Sequence, residues 1–239
     1  MNTPLHPIRA RKAIAACAIA LGCAFAPMLE AENLVILHTN DTHSQIDPIE
    51  SSGLGGVLRR KAAIDSIRAA EKNVLLVDAG DAVQGSLFFY LYGGEVEARI
   101  MNAMKVDMGI LGNHEFDNGM DSLAKMMAMR QDELLATNYF LEDSKLKGMF
   151  KPYTIRTVGG KRIGFIGVNL NPEGMISEGN ADGVVYSDAV KTADLTAKFL
   201  KEVEKADAVI ALTHIGYKPE TPPGDSILAR ESEYIDVII

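Results

Sequence analysis

Four short polar clusters carry the residue types that could do chemistry. They are Asn40-Asp41-Thr42-His43, Asp78-Ala79-Gly80-Asp81, Gly112-Asn113-His114-Glu115-Phe116-Asp117 and Thr213-His214-Ile215-Gly216. An Asp-x-His pair sets an oxygen and an imidazole two residues apart, so both can face one ion from a single loop. Asp, Asn and His are hard-to-borderline donors, suited to Zn²⁺, Mn²⁺ or iron and not to a thiolate metal. Gly80 and Gly112 permit tight turns that bring the backbone close to an ion or a substrate. Each cluster alone is a weak signal: an Asp-x-His pair is common, and Gly80-Asp81 is an ordinary turn sequence. Their joint occurrence in four successive segments points to one metal site. His38 lies within an apolar run before the first cluster and is expected to pack in the core.

Each cluster directly follows an apolar run. Asn33–His38, Val74–Val77, Met108–Leu111 and Ala208–Leu212 lack polar alternation, as strands buried on both faces do. Between them lie helical patterns: one with Val57, Ile64, Ile67 and Ala70 on a common face, one over about 94–104, and one over 120–130. A fourth carries Val190, Ala193, Ala197, Leu200 and Val203 behind Ser187 as its N-cap. Leu134–Thr137 reads as a short strand. Tyr153–Val158 and Ile163–Val168 flank Gly159-Gly160, which predicts a hairpin with a tight turn. The alternation predicts an α/β fold with one antiparallel component. In such sheets ligands bind beyond the carboxyl ends of the strands, so four strand ends would converge on one crevice.

Composition narrows the partners. The chain has 47% hydrophobic and 23% charged residues, a globular profile. Its net charge is −8, from 24 basic and 32 acidic side chains, and it offers no basic face to a nucleic-acid polymer. Residues 1–31 read as an export signal: Arg9, Arg11 and Lys12, then an apolar run from Ala13 to Ala26, then small residues ending at Ala31. That run is too short to span a bilayer, which takes about 20 residues. Ala20-Leu21-Gly22-Cys23 approximates a lipoprotein box, which makes Cys23 an alternative lipid-attachment point. Cleavage after Ala31 leaves 208 residues, with 21 basic and 31 acidic side chains and neither cysteine. Periplasm or cell surface is the expected location, and residues 32–239 the expected catalytic domain.

In type and order the clusters resemble the calcineurin-like metallophosphoesterase superfamily, whose pattern is Asp-x-His, Gly-Asp, Gly-Asn-His-[Asp/Glu], His-Gly and Gly-His-x-His. Gly112-Asn-His-Glu-Phe-Asp117, Leu37-His-Thr-Asn-Asp-Thr-His43 and Asp78-Ala-Gly-Asp81 are similar to its secreted 5′-nucleotidase branch. The first four motifs are present over about residues 33–239. The fifth would follow the run Ile235–Ile239, where the sequence stops, so the resemblance implies a chain incomplete at its C-terminus and lacking the domain that supplies the base pocket.

The resemblance implies a four-layer α/β/β/α sandwich with mixed sheets and two divalent ions, Zn²⁺ or Mn²⁺. Asp41 and His43 would bind one ion, Asp81 would bridge both, and Asn113 and His214 would bind the second. His114 would stabilise the transition state or protonate the leaving group, with Asp117 orienting it. The expected reaction is hydrolysis of nucleoside 5′-monophosphates, with 2′,3′-cyclic nucleotides or nucleotide sugars as further substrates. Magnitudes agree. Phosphate-monoester hydrolysis requires accelerations up to ~10²¹, while one general acid contributes about 10²–10⁴. A His-Asp pair alone is therefore insufficient, and a two-ion site that acidifies a bridging water supplies the remainder. Two alternatives share these motifs: a thiosulfohydrolase of the same fold, and an inactive remnant or half-domain that needs the C-terminal part in cis or in trans.

Overall fold

Strands form where β-branched and aliphatic residues run together, and helices where apolar residues recur every three or four positions. The computed structural model describes residues 33–218 and 223–239; residues 1–31, with Cys17 and Cys23 and the expected export signal, lie outside the described residues. The chain begins with β1 (Val35–Thr39), α1 (Val57–Ala70) and β2 (Val74–Asp78). Two helices follow: α2 (Leu87–Tyr92), which the periodicity does not predict, and α3 (Glu95–Met104), which matches the stretch expected at about 94–104. Gly93 and Gly94 separate them, both with left-handed backbone that ends one helix and starts the next. Then come β3 (Met108–Gly109), a 3₁₀ turn at His114–Phe116, α4 (Gly119–Met129) and β4 (Glu133–Leu134). β1 to β4 form an all-parallel sheet in that order.

The second half supplies β5 (Tyr139–Phe140), β6 (Tyr153–Val158), β7 (Lys161–Asn169) and β8 (Val185–Tyr186). It ends with α5 (Ala189–Glu202), β9 (Ala208–His214), α6 (Asp225–Glu231) and β10 (Val237–Ile238). Its sheet has the order β10-β9-β7-β6 and is mixed, since only the β6–β7 hairpin runs antiparallel. Gly159 and Gly160 turn that hairpin with φ of 55° and 76°, the double positive φ that a two-residue hairpin turn favours. β5 and β8 pair as a separate antiparallel ribbon.

Strand alternation divides the interior into layers. Leu76 of β2 packs outward with Ile64 of α1 and Met104 of α3. Its neighbour Val77 faces the other sheet, among Met108, Ile110, Phe165, Ile210 and Leu212. On the far side, Val209 and Ala211 of β9 pack against Ala193, Ala197 and Leu200 of α5. The architecture is α/β/β/α, with both faces of each sheet covered, and this accounts for strands that show no polar alternation. Full burial of a side chain such as Phe165 contributes roughly 1.5–3 kcal/mol.

Two local expectations change. The N-cap of α5 is Asp188, whose Oδ1 accepts the Lys191 N–H at 2.9 Å, while Ser187 Oγ pairs with Thr192 Oγ1. A carboxylate at the cap also complements the positive end of the helix dipole. His38 is exposed and does not pack in the core, because β1 is the outer strand of its sheet among the described residues and its end is left uncovered. Among the described residues, no helix is long and apolar enough to cross a membrane.

The two sheets meet at backbone distance near Gly167. A Cβ there would stand 2.7 Å from both Ile110 Cγ2 and the Leu135 carbonyl oxygen. Thr137 ties the same point, its N–H donating to Gly167 O at 2.7 Å and its Oγ1 accepting Gly167 N–H at 2.9 Å. Gly167→Ala is expected to destabilise the fold by about 1–3 kcal/mol, read from urea unfolding; an unchanged midpoint would show that the sheets are not in close contact here.

Candidate metal centre

The loops after β1, β2 and β3 leave the same edge of the parallel sheet, and the loop after β9 joins them from the second sheet. Parallel pairing continues past the strands and holds the first loop to the second. Asp41 N–H donates to Gly80 O at 3.0 Å, His43 N–H to Asp81 O at 3.0 Å, and Ser44 N–H to Ala82 O at 2.9 Å. The backbone here is strained. Of the seven non-glycine residues with positive φ among the described residues, five lie in these two loops: Asp41, His43, Ser44, Asp81 and Gln84. Such conformations cost of order 1–3 kcal/mol each and persist where the surroundings over-determine them. The second and third loops touch backbone to backbone. A Cβ on Gly80 would stand 2.6 Å from Gly112 N, and one on Gly112 would stand 2.5 Å from Asp81 N and closer still to Asp81 Oδ1.

This packing collects the side chains. Asp41, Asp81 and His214 offer ligand atoms that all lie within 4.8 Å of one another. Asp81 is buried, and its Oδ2 stands 3.2 Å from His214 Nε2 and 3.9 Å from His43 Nε2. His43 Nε2 is also 3.7 Å from Asp41 Oδ1. One carboxylate oxygen is thus shared by two imidazoles. Both rings are held from behind by carbonyl oxygens: His214 Nδ1 meets Ala79 O at 2.7 Å, and His43 Nδ1 meets Gln84 Oε1 at 3.2 Å. A carbonyl oxygen only accepts, so Nδ1 carries the hydrogen and Nε2 is the nitrogen presented to the carboxylates. That is the orientation metal-binding histidines show.

The donor set fits a divalent ion. Tetrahedral ligands about 2.1 Å from zinc stand about 3.4 Å apart, and the three imidazole–carboxylate pairs here are 3.2 to 3.9 Å apart, within a group that spans up to 4.8 Å. In the metal-free chain a proton occupies this place. Burial opposes the charged form of His214, but the hydrogen bond and charge of Asp81 prevail and raise it to about 9. Asp81 shows the reciprocal effect: burial pushes its carboxyl up, and His214 with the His114 N–H brings it below the usual carboxylate range.

His114 and Asp117 form a pair beside this cluster, with Nδ1 2.8 Å from Oδ2. The His114 ring stands edge-on to that of His43, centroids 5.1 Å apart. Asn113, half-buried, leads into the 3₁₀ turn that carries His114. Asp78 turns away from the site. It is buried and accepts Thr39 Oγ1–H at 2.6 Å, and desolvation raises its carboxyl.

Two polar residues in the supporting structure were not singled out from the sequence. Glu115, buried, accepts three backbone N–H groups from the second and third loops. Asn169 ends β7 in register with His214, and its Nδ2 donates to Leu111 O at 2.5 Å. The apolar pattern ends the strand at Val168, whereas β7 runs on to Asn169 and carries a fifth polar strand end.

Residues 34–239 match the family described as Calcineurin-like phosphoesterase, and the chain belongs to that family. It is 32% identical to the 5′-nucleotidase of Homo sapiens over 244 residues, which covers 97% of this chain and 41% of the human protein. Among solved structures, it is similar to the NAD nucleotidase of Haemophilus influenzae with TM-score 0.77 and 33% identity, covering 86% of this chain and 37% of that one. The 5′-nucleotidase precursor from Thermus thermophilus gives TM-score 0.77 and 34% identity, covering 86% of this chain and 40% of that one. The chain spans about two fifths of the length of these relatives.

Gly112→Ala is expected to displace the Asp81 carboxylate and to cost about 1–3 kcal/mol of stability. The His43 and His214 imidazole resonances should both move in NMR spectra of the variant. Gly53→Ala, where a Cβ meets nothing within 4 Å, should leave them in place. Identical imidazole spectra in the two variants would disprove the loop contact.

Proposed function

We propose that residues 32–239 are the catalytic domain of an exported, metal-dependent phosphoesterase that hydrolyses nucleoside 5′-monophosphates. The observation that carries this reading is the shared oxygen: Asp81 Oδ2 faces His43 Nε2 on one side and His214 Nε2 on the other, with each Nδ1 fixed by a carbonyl oxygen. The nucleotide substrate is supported by the relatives, named as 5′-nucleotidases and a NAD nucleotidase. Export is supported by the character of residues 1–31, with Cys23 as the alternative anchor.

On this reading Asp41, His43 and Asp81 hold one divalent ion, and Asp81, Asn113 and His214 hold a second. Two such ions supply Lewis acidity toward the phosphoryl oxygens and acidify water. They also resolve the charge problem, because four positive charges against the carboxylates of Asp41 and Asp81 leave a positive site on an acidic protein. The remaining work falls to the protein. Asp117 accepts the Nδ1–H of His114 and holds the ring in one orientation. His114 Nε2 then stands ready to donate its proton to the ester oxygen as the nucleoside leaves. The strained loops arrive with their ligand atoms already collected, so binding energy is not spent on ordering them.

Phosphate release from a nucleoside 5′-monophosphate by the complete protein is expected to fall at least a thousandfold after chelation and dialysis, and to return with Mn²⁺ or Zn²⁺. Undiminished turnover in excess chelator would refute the reading. Asp81→Asn is expected to lose both metal stoichiometry and turnover. His114→Asn should keep the metal and lose roughly 10²–10⁴ in rate, and equal metal loss in both variants, by metal analysis, would contradict the assigned roles.

A further inference from the structure

Glu115 is an unusual place for a carboxylate. It sits in the 3₁₀ turn His114–Phe116, buried with 3% of its surface exposed, and faces peptide N–H groups. Its Oε2 accepts the N–H of Gly112 at 2.6 Å and that of Asp81 at 3.0 Å, and its Oε1 accepts the N–H of Ala82 at 2.8 Å. One oxygen therefore joins two loops, and the other extends the grip on the second loop. Asp81, itself buried and anionic, is close by, so the position is electrostatically unfavourable for a carboxylate without these donors. Burial raises the Glu115 carboxyl, as does the nearby charge of Asp81, while the peptide N–H donors oppose that rise and, fixed in the backbone, cannot reorient away from it.

The connectivity gives the bonds a purpose. The first loop is laddered onto the second by the N–H groups of Asp41, His43 and Ser44. The second loop meets the third through Glu115 and through His114 N–H, which donates to Asp81 Oδ1 at 2.9 Å. The backbone contact between Gly80 and Gly112 makes close approach feasible but supplies no hydrogen bond of its own. We propose that Glu115 is a positioning residue that locks the Asp81 loop to the Asn113-His114 loop and so sets the spacing of Asp81 and Asn113 before any cation binds. This rests on the reading that Asp81 and Asn113 take divalent ions. Glutamine in its place keeps the length but offers one acceptor oxygen, and its amide NH₂ opposes the N–H donors. Aspartate keeps the carboxyl and both oxygens but retracts them by one methylene.

Amide hydrogen exchange and Mn²⁺ calorimetry on the intact, metal-free protein test this directly. In the unmodified protein the amides of Asp81, Ala82 and Gly112 should be protected, although they lie in loops. In Glu115→Gln they should exchange at least tenfold faster, with Val209 and Ile210 of β9 unchanged, and Mn²⁺ affinity should fall at least tenfold. Glu115→Asp should fall between the two. Unprotected amides in the unmodified protein would overturn the proposal, even if the variants do not fold. So would a folded Glu115→Gln that binds Mn²⁺ as tightly as the parent. If the parent binds no Mn²⁺ while its three amides are protected and respond to Glu115→Gln, the metal reading fails and the lock between the loops stands.

Discussion

The structure is organised around a single carboxylate oxygen, Asp81 Oδ2, that must sit between two imidazoles carried by segments far apart in sequence. His43 follows the first strand of one sheet, and His214 ends a central strand of the other. A buried carboxylate can hold that position only if its own backbone is fixed, since 1 Å of drift would lose one partner or the other. Asp81 is therefore gripped through its carbonyl by His43 N–H, through its N–H by Glu115, and through its second oxygen by His114 N–H. Each grip satisfies a polar group that burial would otherwise leave costly.

The layers supply the rigidity this needs. The inter-sheet core of Val77, Ile110, Phe165, Ile210 and Leu212 lies directly under the strand ends that carry the loops. Its apolar packing stabilises strands whose following loops must then adopt left-handed backbone at Asp41, His43, Ser44 and Asp81. The strain is tolerated because the ladder from Asp41 to Ser44 and the cradle of Glu115 leave those residues no relaxed alternative. Glycine appears where even a methyl group would intrude, at Gly80 and Gly112 between the loops and at Gly167 between the sheets.

Charge follows the same logic of compensation. An acidic protein whose site gathers Asp41 and Asp81 would repel a phosphate, and in the metal-free chain the proton held between His214 and Asp81 relieves part of that excess. Divalent cations are the species that would both replace that proton and reverse the sign of the site. Behind it, Asp78 and Glu115 stay buried, their carboxyls raised by desolvation and held by hydroxyl and peptide donors, so neither competes as a ligand facing outward.

The order of the longer strands and helices, the hairpin at Gly159-Gly160 and the placement of donors at strand ends are legible in the sequence, whereas the short α2 and α6 and the β5–β8 ribbon are not. The legible features depend on residue type and period within a dozen positions, and those are local properties. Asp188 taking the cap from Ser187 is a shift of one residue in the same local information. What required the fold was every choice made across distance. By residue type alone Asp78 and Asp81 are equally eligible; the family resemblance selects Asp81, and the turn between β2 and α2 sends Asp78 to Thr39 and Asp81 to the imidazoles. His38 looked like core until the sheet order put its strand at the edge. The ring orientation of His214 depends on Ala79 O, 135 residues away, and the lock of Glu115 depends on peptide groups 33 and 34 residues before it. Donor types are written locally, whereas their angles, tautomers and spacing arise only when separate strand ends are packed against one another.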